Sequence, residues 1–261
     1  MYLAVDIGGT KTLIALFSKR GRVLRKLKFQ TAQGSKTFLD ELAQNLARFK
    51  RYKIKAIAVA VPGHVRFEQK NYSAKFGNRS WGWINISAPF QNLFSCPTYF
   101  ENDANLASIY ESKGLKGKTV FLTFSTGVGG GLAENGTLLI DDTGRFEPGH
   151  QRYFYEGEVK EWEDIAAASA IENYYHVDFA TNLKKRAELE EIARRIALGL
   201  PDIVQEHHPD TIVLGGPMGK IFKLYAKYLP SDLGVKLRRP KRPTESVIYG
   251  CYLYAKQKER G

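Results

Sequence analysis

The stretch Tyr2-Leu-Ala-Val-Asp-Ile-Gly-Gly-Thr-Lys-Thr12 decides the fold of the N-terminal part of the chain. Its apolar first half predicts a buried strand that ends at an acidic residue, and its two adjacent glycines predict a tight turn. The segment 12–17 is again β-rich, and after a basic turn at 19–22 the segment 23–29 also favours a strand. The opening of the chain therefore predicts a β-meander.

Helical and strand patterns alternate along the rest of the chain. Apolar residues at helical spacing predict helices, over 37–49, 105–112 and 189–203. Short apolar runs predict buried strands, over 56–61, 119–124 and 211–214. The segment 247–256 favours a last helix or strand. Each half thus combines a hairpin or meander with helix–strand alternation, and the boundary between the halves lies near 105–118. This repeated pattern predicts an α/β fold built twice.

The composition excludes several classes of protein. The chain has 261 residues, of which 43% are apolar and 25% charged, as is ordinary for a globular protein. Its longest apolar run, 56–61, is far shorter than the ~18 residues of a membrane-spanning helix. The N-terminus lacks the basic and apolar regions of a signal peptide. Cys96 and Cys251 are too few for a disulfide framework or a four-thiolate zinc site. We therefore expect a cytoplasmic protein with no membrane partner.

The formal net charge is +12, from 39 basic and 27 acidic residues. Clusters of basic residues occur in three separate segments, 19–28, 184–186 and 236–242. No recognition-helix module, zinc-finger spacing or aromatic-basic RNA signature accompanies them. We therefore interpret them as solvated surface, or as a field that attracts small anionic substrates, and expect no specific nucleic-acid partner.

Two glycine-rich segments carry the strongest chemical signal. The first glycine loop is Asp6-Ile-Gly-Gly-Thr-Lys-Thr12, and the second glycine loop is Ser125-Thr-Gly-Val-Gly-Gly-Gly131. Glycines let the backbone approach an anion closely, and threonine hydroxyls add donors for phosphate oxygens. Neither segment fits the P-loop or the dinucleotide fingerprint. The alternative, two tight hairpin turns without a ligand, is weakened because both loops enter a predicted hairpin in their own half.

Two further motifs place charged side chains at turns. In Glu101-Asn-Asp-Ala-Asn105 a predicted strand ends where a helix begins. Asp103 there either caps the helix or lies at the carboxyl end of a strand, where α/β sheets bind ligands. The turn Glu147-Pro-Gly-His150 brings a carboxylate and an imidazole together. Taken alone, this turn favours a structural histidine.

In their order along the chain these motifs resemble the ROK family of sugar kinases over about residues 2 to 216. The two glycine loops are similar to the family's phosphate loops, and Glu101-Asn-Asp-Ala-Asn105 is similar to its catalytic Asn-Asp motif. Val61-Pro-Gly-His-Val65 is similar to the family's Pro-Gly segment beside the sugar pocket. Glu147-Pro-Gly-His150 is similar to its Glu-x-Gly-His sugar clamp, and Val213-Leu-Gly-Gly216 is similar to its adenosine-side glycines.

The resemblance implies two ribonuclease-H-like domains, of the actin and hexokinase type, around a nucleotide-binding cleft. The smaller domain would comprise residues 1–110 and a C-terminal helix at 245–261, and the larger domain residues 111–244. The implied reaction is ATP- and Mg²⁺-dependent phosphorylation of a hexose, with glucose and its 6-hydroxyl as the first choice.

The resemblance also implies residue roles. Asp103 would be the general base that takes the proton of the attacking sugar hydroxyl. Five side chains would hold the sugar: Asn78, Asn102, Glu147, His150 and Glu163. The nucleotide site would comprise Asp6, Gly8, Gly9, Thr10, Thr126, Gly127, Gly129, Gly215 and Gly216. Asp6 would orient Mg²⁺ through water, because Mg²⁺ keeps several of its water ligands.

The sequence departs from the family pattern at three places. Many relatives carry a cysteine-rich zinc motif after the Gly-His turn, but 151–161 contains no cysteine, so we expect no structural zinc. Ser125 and Ala168 stand where the family has glycines. These changes bear on the identity of the sugar and of the donor rather than on the type of reaction. We also expect no DNA-binding segment ahead of Tyr2, which argues against the family's repressor branch.

Three questions stay open at this point. Inorganic polyphosphate is an alternative donor to ATP, since the short chain, the missing zinc motif and the charge resemble the polyphosphate glucokinases of the same family. A sugar sensor that binds without phosphorylating is a second alternative, against which an intact Asp103 argues. The oligomeric state is undetermined, with a homodimer as one option.

Overall fold

The computed structural model describes residues 1–68, 71–76, 81–139, 146–175 and 185–260. The chain divides into two compact units. Unit 1 comprises Met1–Tyr110 and Val247–Gly261, and unit 2 comprises Glu111–Ser246. Within the described ranges, no helix has the length and apolar character that crossing a membrane requires.

Unit 1 contains eight described strands and three helices before the chain leaves it. The strands are β1 (Tyr2–Ile7), β2 (Lys11–Phe17), β3 (Val23–Gln30), β4 (Ala56–Val61), β5 (Gly63–Glu68), β6 (Asn71–Phe76), β7 (Ile84–Asn85) and β8 (Thr98–Asn102). The helices are α1 (Ser35–Ala47), α2 (Ala88–Gln91) and α3 (Asp103–Ser112).

The main sheet of unit 1 has the strand order β3-β2-β1-β4-β8. The first three strands form the predicted antiparallel meander, and β4 and β8 continue the sheet parallel to β1. Because β1, β4 and β8 are parallel, their carboxyl ends meet at one edge of the sheet. The apolar runs of β1 and β4 are buried along nearly their whole length, as expected for central strands covered on both faces.

Unit 2 repeats this plan. Its strands are β9 (Lys118–Phe124), β10 (Val128–Glu134), β11 (Thr137–Leu138), β12 (Arg152–Tyr155), β13 (Glu158–Glu161), β14 (Thr211–Gly215) and β15 (Lys236–Arg238). Its helices are α4 (Trp162–Ala166), α5 (Ala168–Tyr175), α6 (Arg186–Ala197), α7 (Leu200–His207) and α8 (Gly216–Tyr225). The last helix, α9 (Ser246–Lys258), lies in unit 1 from its second residue onward.

The main sheet of unit 2 has the order β11-β10-β9-β14-β15, in which β14 runs parallel to β9 and to β15. The hairpin β9–β10 therefore corresponds to β1–β2, and β14 corresponds to β4. The α/β fold built twice, predicted from the alternation of patterns, is confirmed. The final segment, predicted as a helix or a strand, is the helix α9.

The single helix predicted over 189–203 is wrong, because the chain forms two helices, α6 and α7, with a break at 198–199. Pro201 lies in the first turn of α7, where its missing N–H is tolerated, whereas inside one continuous helix its ring would clash with the carbonyl of Ala197. Gly199 also contacts Trp162 so closely that a Cβ there would lie 2.6 Å from the indole ring. Only glycine allows this approach.

Two small sheets were not predicted. One has the order β5-β6-β7 in unit 1, and the other pairs β12 with β13 in unit 2. Their strands are short and partly polar, so they lack the apolar runs that mark β1 and β4. The second of these hairpins matters for the site, because Glu161 at its end contacts a predicted site residue.

A close helix contact in unit 1 gives a stability prediction. Gly250 of α9 packs so tightly on α3 that a Cβ would lie 1.8 Å from the carbonyl oxygen of Leu106. A backbone atom cannot rotate away, so we expect Gly250→Ala to lower the free energy of unfolding by about 3 kcal/mol. Urea denaturation at neutral pH measures this change. Gly34→Ala is the matched control, because its new methyl group meets nothing closer than 3.6 Å. Equal stability of both variants would show that α9 does not pack as described.

Candidate functional site

In unit 1 the predicted site residues gather at the carboxyl edge of the main sheet. Asp6 is the penultimate residue of β1, and Asn102 and Asp103 lie where β8 passes into α3. Burial raises the pKa of the Asp6 carboxyl to about 7, and the negative charge of Asp103 acts in the same direction, while Lys28 opposes it. Two of the predicted acidic groups are therefore close enough to influence each other.

The first glycine loop turns tightly between β1 and β2. The N–H of Gly8 donates to the carbonyl of Lys11 at 3.0 Å, and a Cβ on Gly8 would lie 2.9 Å from that oxygen. The glycine at this position is thus required by the turn itself. Gly9 is partly accessible and Thr10 is exposed, so the loop presents its tip at the surface of unit 1.

The Asn-Asp motif is both a helix start and a candidate site. Asn102 Oδ1 accepts hydrogen bonds from the N–H groups of Ala104 and Asn105, at 2.8 and 3.3 Å, and Asp103 Oδ1 accepts from Ala104 at 2.8 Å. The capping role that the sequence offered for Asp103 is therefore shared with Asn102. The buried Glu101 accepts hydrogen bonds from the Asn102 N–H and from the Asn105 side chain, and these bonds help to fix the conformation of the motif.

In unit 2 the second glycine loop lies against Glu163, the predicted sugar residue of α4. Glu163 Oε2 accepts from the N–H of Val128 at 3.3 Å. A Cβ on Gly127 would lie 2.5 Å from the same oxygen, and a Cβ on Gly149 would lie 2.9 Å from it. Three sequence segments that are far apart in the chain therefore meet at one carboxylate. Thr126 and Gly129 belong to the same loop and its following strand.

Gly215 ends β14 and Gly216 begins α8, beside the strand that leads into the second glycine loop. Gly216 has a φ of +67°, and a Cβ there would lie 2.4 Å from the carbonyl oxygen of Phe124. Because β14 and β9 are parallel, this turn and the second glycine loop lie at the same edge of the sheet. The predicted nucleotide residues of unit 2 are thus brought together.

His150 is held by a residue that the sequence did not single out. Its Nδ1 lies 2.8 Å from Glu161 Oε2, and this hydrogen bond raises the pKa of His150 above its usual range. The carboxylates of Glu163, Glu161 and Glu147 add to the effect, while partial burial opposes it. His150 and Glu147 are exposed, so both side chains are accessible from solvent.

Among the described residues, one group has the geometry to hold a metal ion. His150, Glu161 and Glu163 each offer one ligand atom, and these atoms lie within 4.8 Å of one another. The group has no thiolate, unlike the cysteine-rich structural sites that zinc often occupies. In unit 1, Asp6 and Asp103 supply hard carboxylate oxygens, which suit Mg²⁺.

Some predictions fall outside these observations. Asn78, predicted to hold a sugar hydroxyl, lies outside the described residues. Thr31, Glu161 and Ser169 contact predicted site residues but were missed, because each acts through a hydrogen bond to a residue 11 or more positions away in sequence. Glu101 was quoted as part of the Asn-Asp motif but was given no role, although it accepts hydrogen bonds from Asn102 and Asn105. A buried polar residue next to a motif, such as Glu101, is the one signal that could have been used.

The sequence profile of the ROK family matches residues 2–248. A fructokinase of Lactococcus lactis subsp. cremoris is 30% identical over 170 residues, which are 63% of this chain and 57% of that protein. A glucokinase of Streptomyces coelicolor is 26% identical over 223 residues, which are 79% of this chain and 67% of that protein. The matched region thus spans little more than half of the fructokinase.

Solved structures agree with the sequence comparison. The crystal structure of the ROK hexokinase from Thermus thermophilus superposes with a TM-score of 0.78 at 25% identity, over 100% of this chain and 99% of that one. The fold is that of the actin and hexokinase type, as the motifs predicted. The profile match covers nearly the whole chain, and the chain therefore belongs to the ROK family.

Proposed function

We propose that this protein is a sugar kinase that transfers the terminal phosphoryl group of ATP to a hexose, with glucose as the first candidate. The observation that carries the proposal is the pair Asp6 and Asp103 at the carboxyl edge of the unit 1 sheet, beside the first glycine loop. A helix cap alone does not require a second carboxylate whose pKa is raised by burial.

In the proposed reaction Asp103 accepts the proton of the sugar hydroxyl as its oxygen attacks the terminal phosphorus. The bond between that phosphorus and the bridging oxygen breaks, and ADP leaves with the electron pair. Phosphoryl transfer has a loose transition state, so the protein mainly positions groups and neutralises charge. Backbone N–H groups and hydroxyls of the two glycine loops would do this for the phosphates, and Gly215 and Gly216 would lie beside the nucleoside.

The residues present fit Mg²⁺ and a nucleotide. Asp6 offers carboxylate oxygens as ligands, and its burial makes the ionised form unfavourable. A cation near it would stabilise that ionised form. Bound Mg²⁺ would supply neutralisation of the phosphate charge. On the sugar side, Asn78, Asn102, Glu147, His150 and Glu163 would hold hydroxyls, and unpaired polar groups would penalise sugars that lack the matching hydroxyl.

Polyphosphate remains the alternative donor, and the positive charges of unit 1 support this alternative. Lys26 and Lys28 are exposed on β3, the edge strand beside the first glycine loop, in a chain with a net charge of +12. A row of cations on an edge strand suits a linear polyanion as well as a nucleotide. A sugar sensor without catalysis is the second alternative. A cytoplasmic location and a homodimer are the remaining parts of the proposal.

A phosphoryl-transfer assay tests the proposal. The panel would contain glucose, mannose, fructose and N-acetylmannosamine, with Mg-ATP and polyphosphate as separate donors. We expect sugar-dependent ADP formation with at least one sugar. Turnover with polyphosphate alone would change the donor assignment. Tight binding of a sugar without turnover with either donor would contradict the kinase assignment and leave a sensor.

A further inference from the structure

Thr31, the residue after β3, makes three hydrogen bonds to the first glycine loop. Its Oγ1 donates to the carbonyl of Gly8 at 2.8 Å, and its N–H donates to the carbonyl of Thr10 at 2.9 Å. Its Oγ1 also lies 2.9 Å from Thr12 Oγ1. Thr31 is 5% exposed and Thr12 is fully buried, so water does not compete for these bonds.

The direction of the Thr12–Thr31 bond follows from counting protons. A threonine hydroxyl has one proton to donate, and the carbonyl of Gly8 can only accept. The Thr31 proton is therefore used on Gly8, and Thr12 must donate to Thr31. The result is a directed chain from Thr12 through Thr31 to the loop backbone, in which Thr31 is the central member.

Ser169 of α5 makes the same type of contact with the second glycine loop in unit 2. Its Oγ donates to the carbonyl of Thr126 at 2.9 Å, and its N–H donates to the carbonyl of Ser125 at 3.1 Å. Each glycine loop is thus held by one hydroxyl residue from another element, which donates both its side-chain O–H and its backbone N–H to loop carbonyls. Neither residue belongs to a glycine motif, and hairpin geometry alone requires neither.

These bonds orient the peptide groups of the loops. A trans peptide group is planar, and its C=O and N–H point in opposite directions. When Thr31 holds the carbonyl of Gly8, the N–H of Gly9 is directed away from Thr31. When Ser169 holds the carbonyl of Thr126, the N–H of Gly127 is directed away from Ser169. The orientation of backbone donors in both loops is therefore set from outside the loops.

We propose that Thr31 and Ser169 are positioning residues that hold the first and second glycine loops in the backbone orientation that receives the phosphates of the donor. The inference rests on the proposed function, because it assigns the loops to the phosphoryl donor. The two hydroxyls are expected to affect binding of the phosphoryl donor and not binding of the sugar.

The kinetic test uses Thr31→Val and Ser169→Ala, which remove a hydroxyl and keep the backbone N–H. For each variant we expect the KM for the phosphate donor to rise about tenfold, the effect of about one lost hydrogen bond, with the sugar KM unchanged. Thr31→Ser and Ser169→Thr keep the hydroxyl and should restore the donor KM. Thr12→Val should have the smaller effect, because it leaves the Thr31–Gly8 bond intact.

A second readout does not depend on turnover. Hydrogen–deuterium exchange of the free protein should be faster around residues 8–12 in Thr31→Val and around 125–131 in Ser169→Ala, with the other loop unchanged in each case. Thr119→Val is the matched control, since the Thr119 hydroxyl is buried in β9 and makes no hydrogen bond within the described residues. We expect this variant to change neither the exchange of the loops nor the donor KM.

The outcomes separate this inference from the proposed function. If the wild type transfers no phosphoryl group but exchange changes loop by loop, the donor role fails along with the kinase assignment, while the loop contacts stand. If the wild type is active but the variants keep the wild-type donor KM and exchange, the positioning roles are overturned. A rise of donor and sugar KM together, with globally faster exchange, would also overturn them, because it would show a general loss of structure.

Discussion

The Asp103→Asn variant is expected to transfer phosphoryl groups about 10²–10⁴ times more slowly than the wild type, with little change in the KM for the sugar. The amide has nearly the shape of the carboxylate but cannot accept the proton of the sugar hydroxyl. Hydrogen bonding to the sugar is largely retained, so the loss should appear in kcat. Initial rates at saturating donor, over a range of sugar concentrations, separate kcat from KM.

The fold should survive this substitution. Asp103 begins α3, where its Oδ1 accepts from the N–H of Ala104 at 2.8 Å, and an asparagine keeps an oxygen at that position. Asparagine is as good a helix cap as aspartate. Asn102 also caps the same helix independently. A fall in activity would therefore report the lost charge and not an unfolded helix, and unfolding curves of both proteins check this.

Asp40→Asn is the matched control for the charge change. Asp40 is exposed in α1 of the same unit, and no hydrogen bond or ion pair of its side chain is known in the described residues. We expect its kcat to equal that of the wild type. If Asp103→Asn also kept wild-type kcat, Asp103 would be a helix cap and not a base, and the mechanism proposed above would be wrong.

The parts of the fold that were predictable are those marked by local patterns. The apolar runs of β1 and β4 and the glycine pairs identify strands and turns, because central strands and tight turns restrict residue type at each position. The hairpin of β12 and β13 has no such mark, since its strands are short and half polar. The break between α6 and α7 was signalled by Gly199 and Pro201, but the amphipathic pattern continues through it.

The same distinction applies to the site. Asp6, Asp103 and the glycines belong to contiguous motifs and could be read directly. Thr31 and Glu161 could not, because neither has an unusual neighbour in sequence, and each becomes informative only through a hydrogen bond to a motif elsewhere in the chain. Sequence motifs thus identify the groups proposed to touch a ligand more easily than the groups that hold them in place.

Asp6→Asn is the second large expected effect, and it has opposite consequences for activity and stability. The carboxyl of Asp6 has its pKa raised to about 7 from 3.8 by burial, with the charge of Asp103 adding to the effect. Between those two values the folded protein holds a proton that the unfolded chain has released. The free energy of unfolding therefore contains a contribution that is complete below about pH 4 and is lost as the pH rises through about 7.

At pH 8 Asp6 is ionised in the folded wild type, which lowers the free energy of unfolding, whereas the amide of the variant carries no charge. We expect Asp6→Asn to be more stable than the wild type by about 2 kcal/mol at pH 8, with a much smaller difference at pH 4. This value is below the full effect of a rise in pKa from 3.8 to about 7, because part of the residue is accessible to water, which screens its charge. In the proposed mechanism the same variant should lose most of its activity, since a neutral amide would orient the water ligands of Mg²⁺ less well than a carboxylate.

Urea denaturation at several pH values, with EDTA and without nucleotide, measures the stability difference. Lys28→Gln sharpens the test, because the positive charge of Lys28 opposes the rise in the pKa of Asp6, and its removal should steepen the loss of stability toward pH 8. A wild type more stable than Asp6→Asn at pH 8 would mean that the ionised carboxylate is stabilised in the folded protein. The raised pKa would then be wrong, and with it the view that Asp6 is held at a cost to stability that a bound cation would offset.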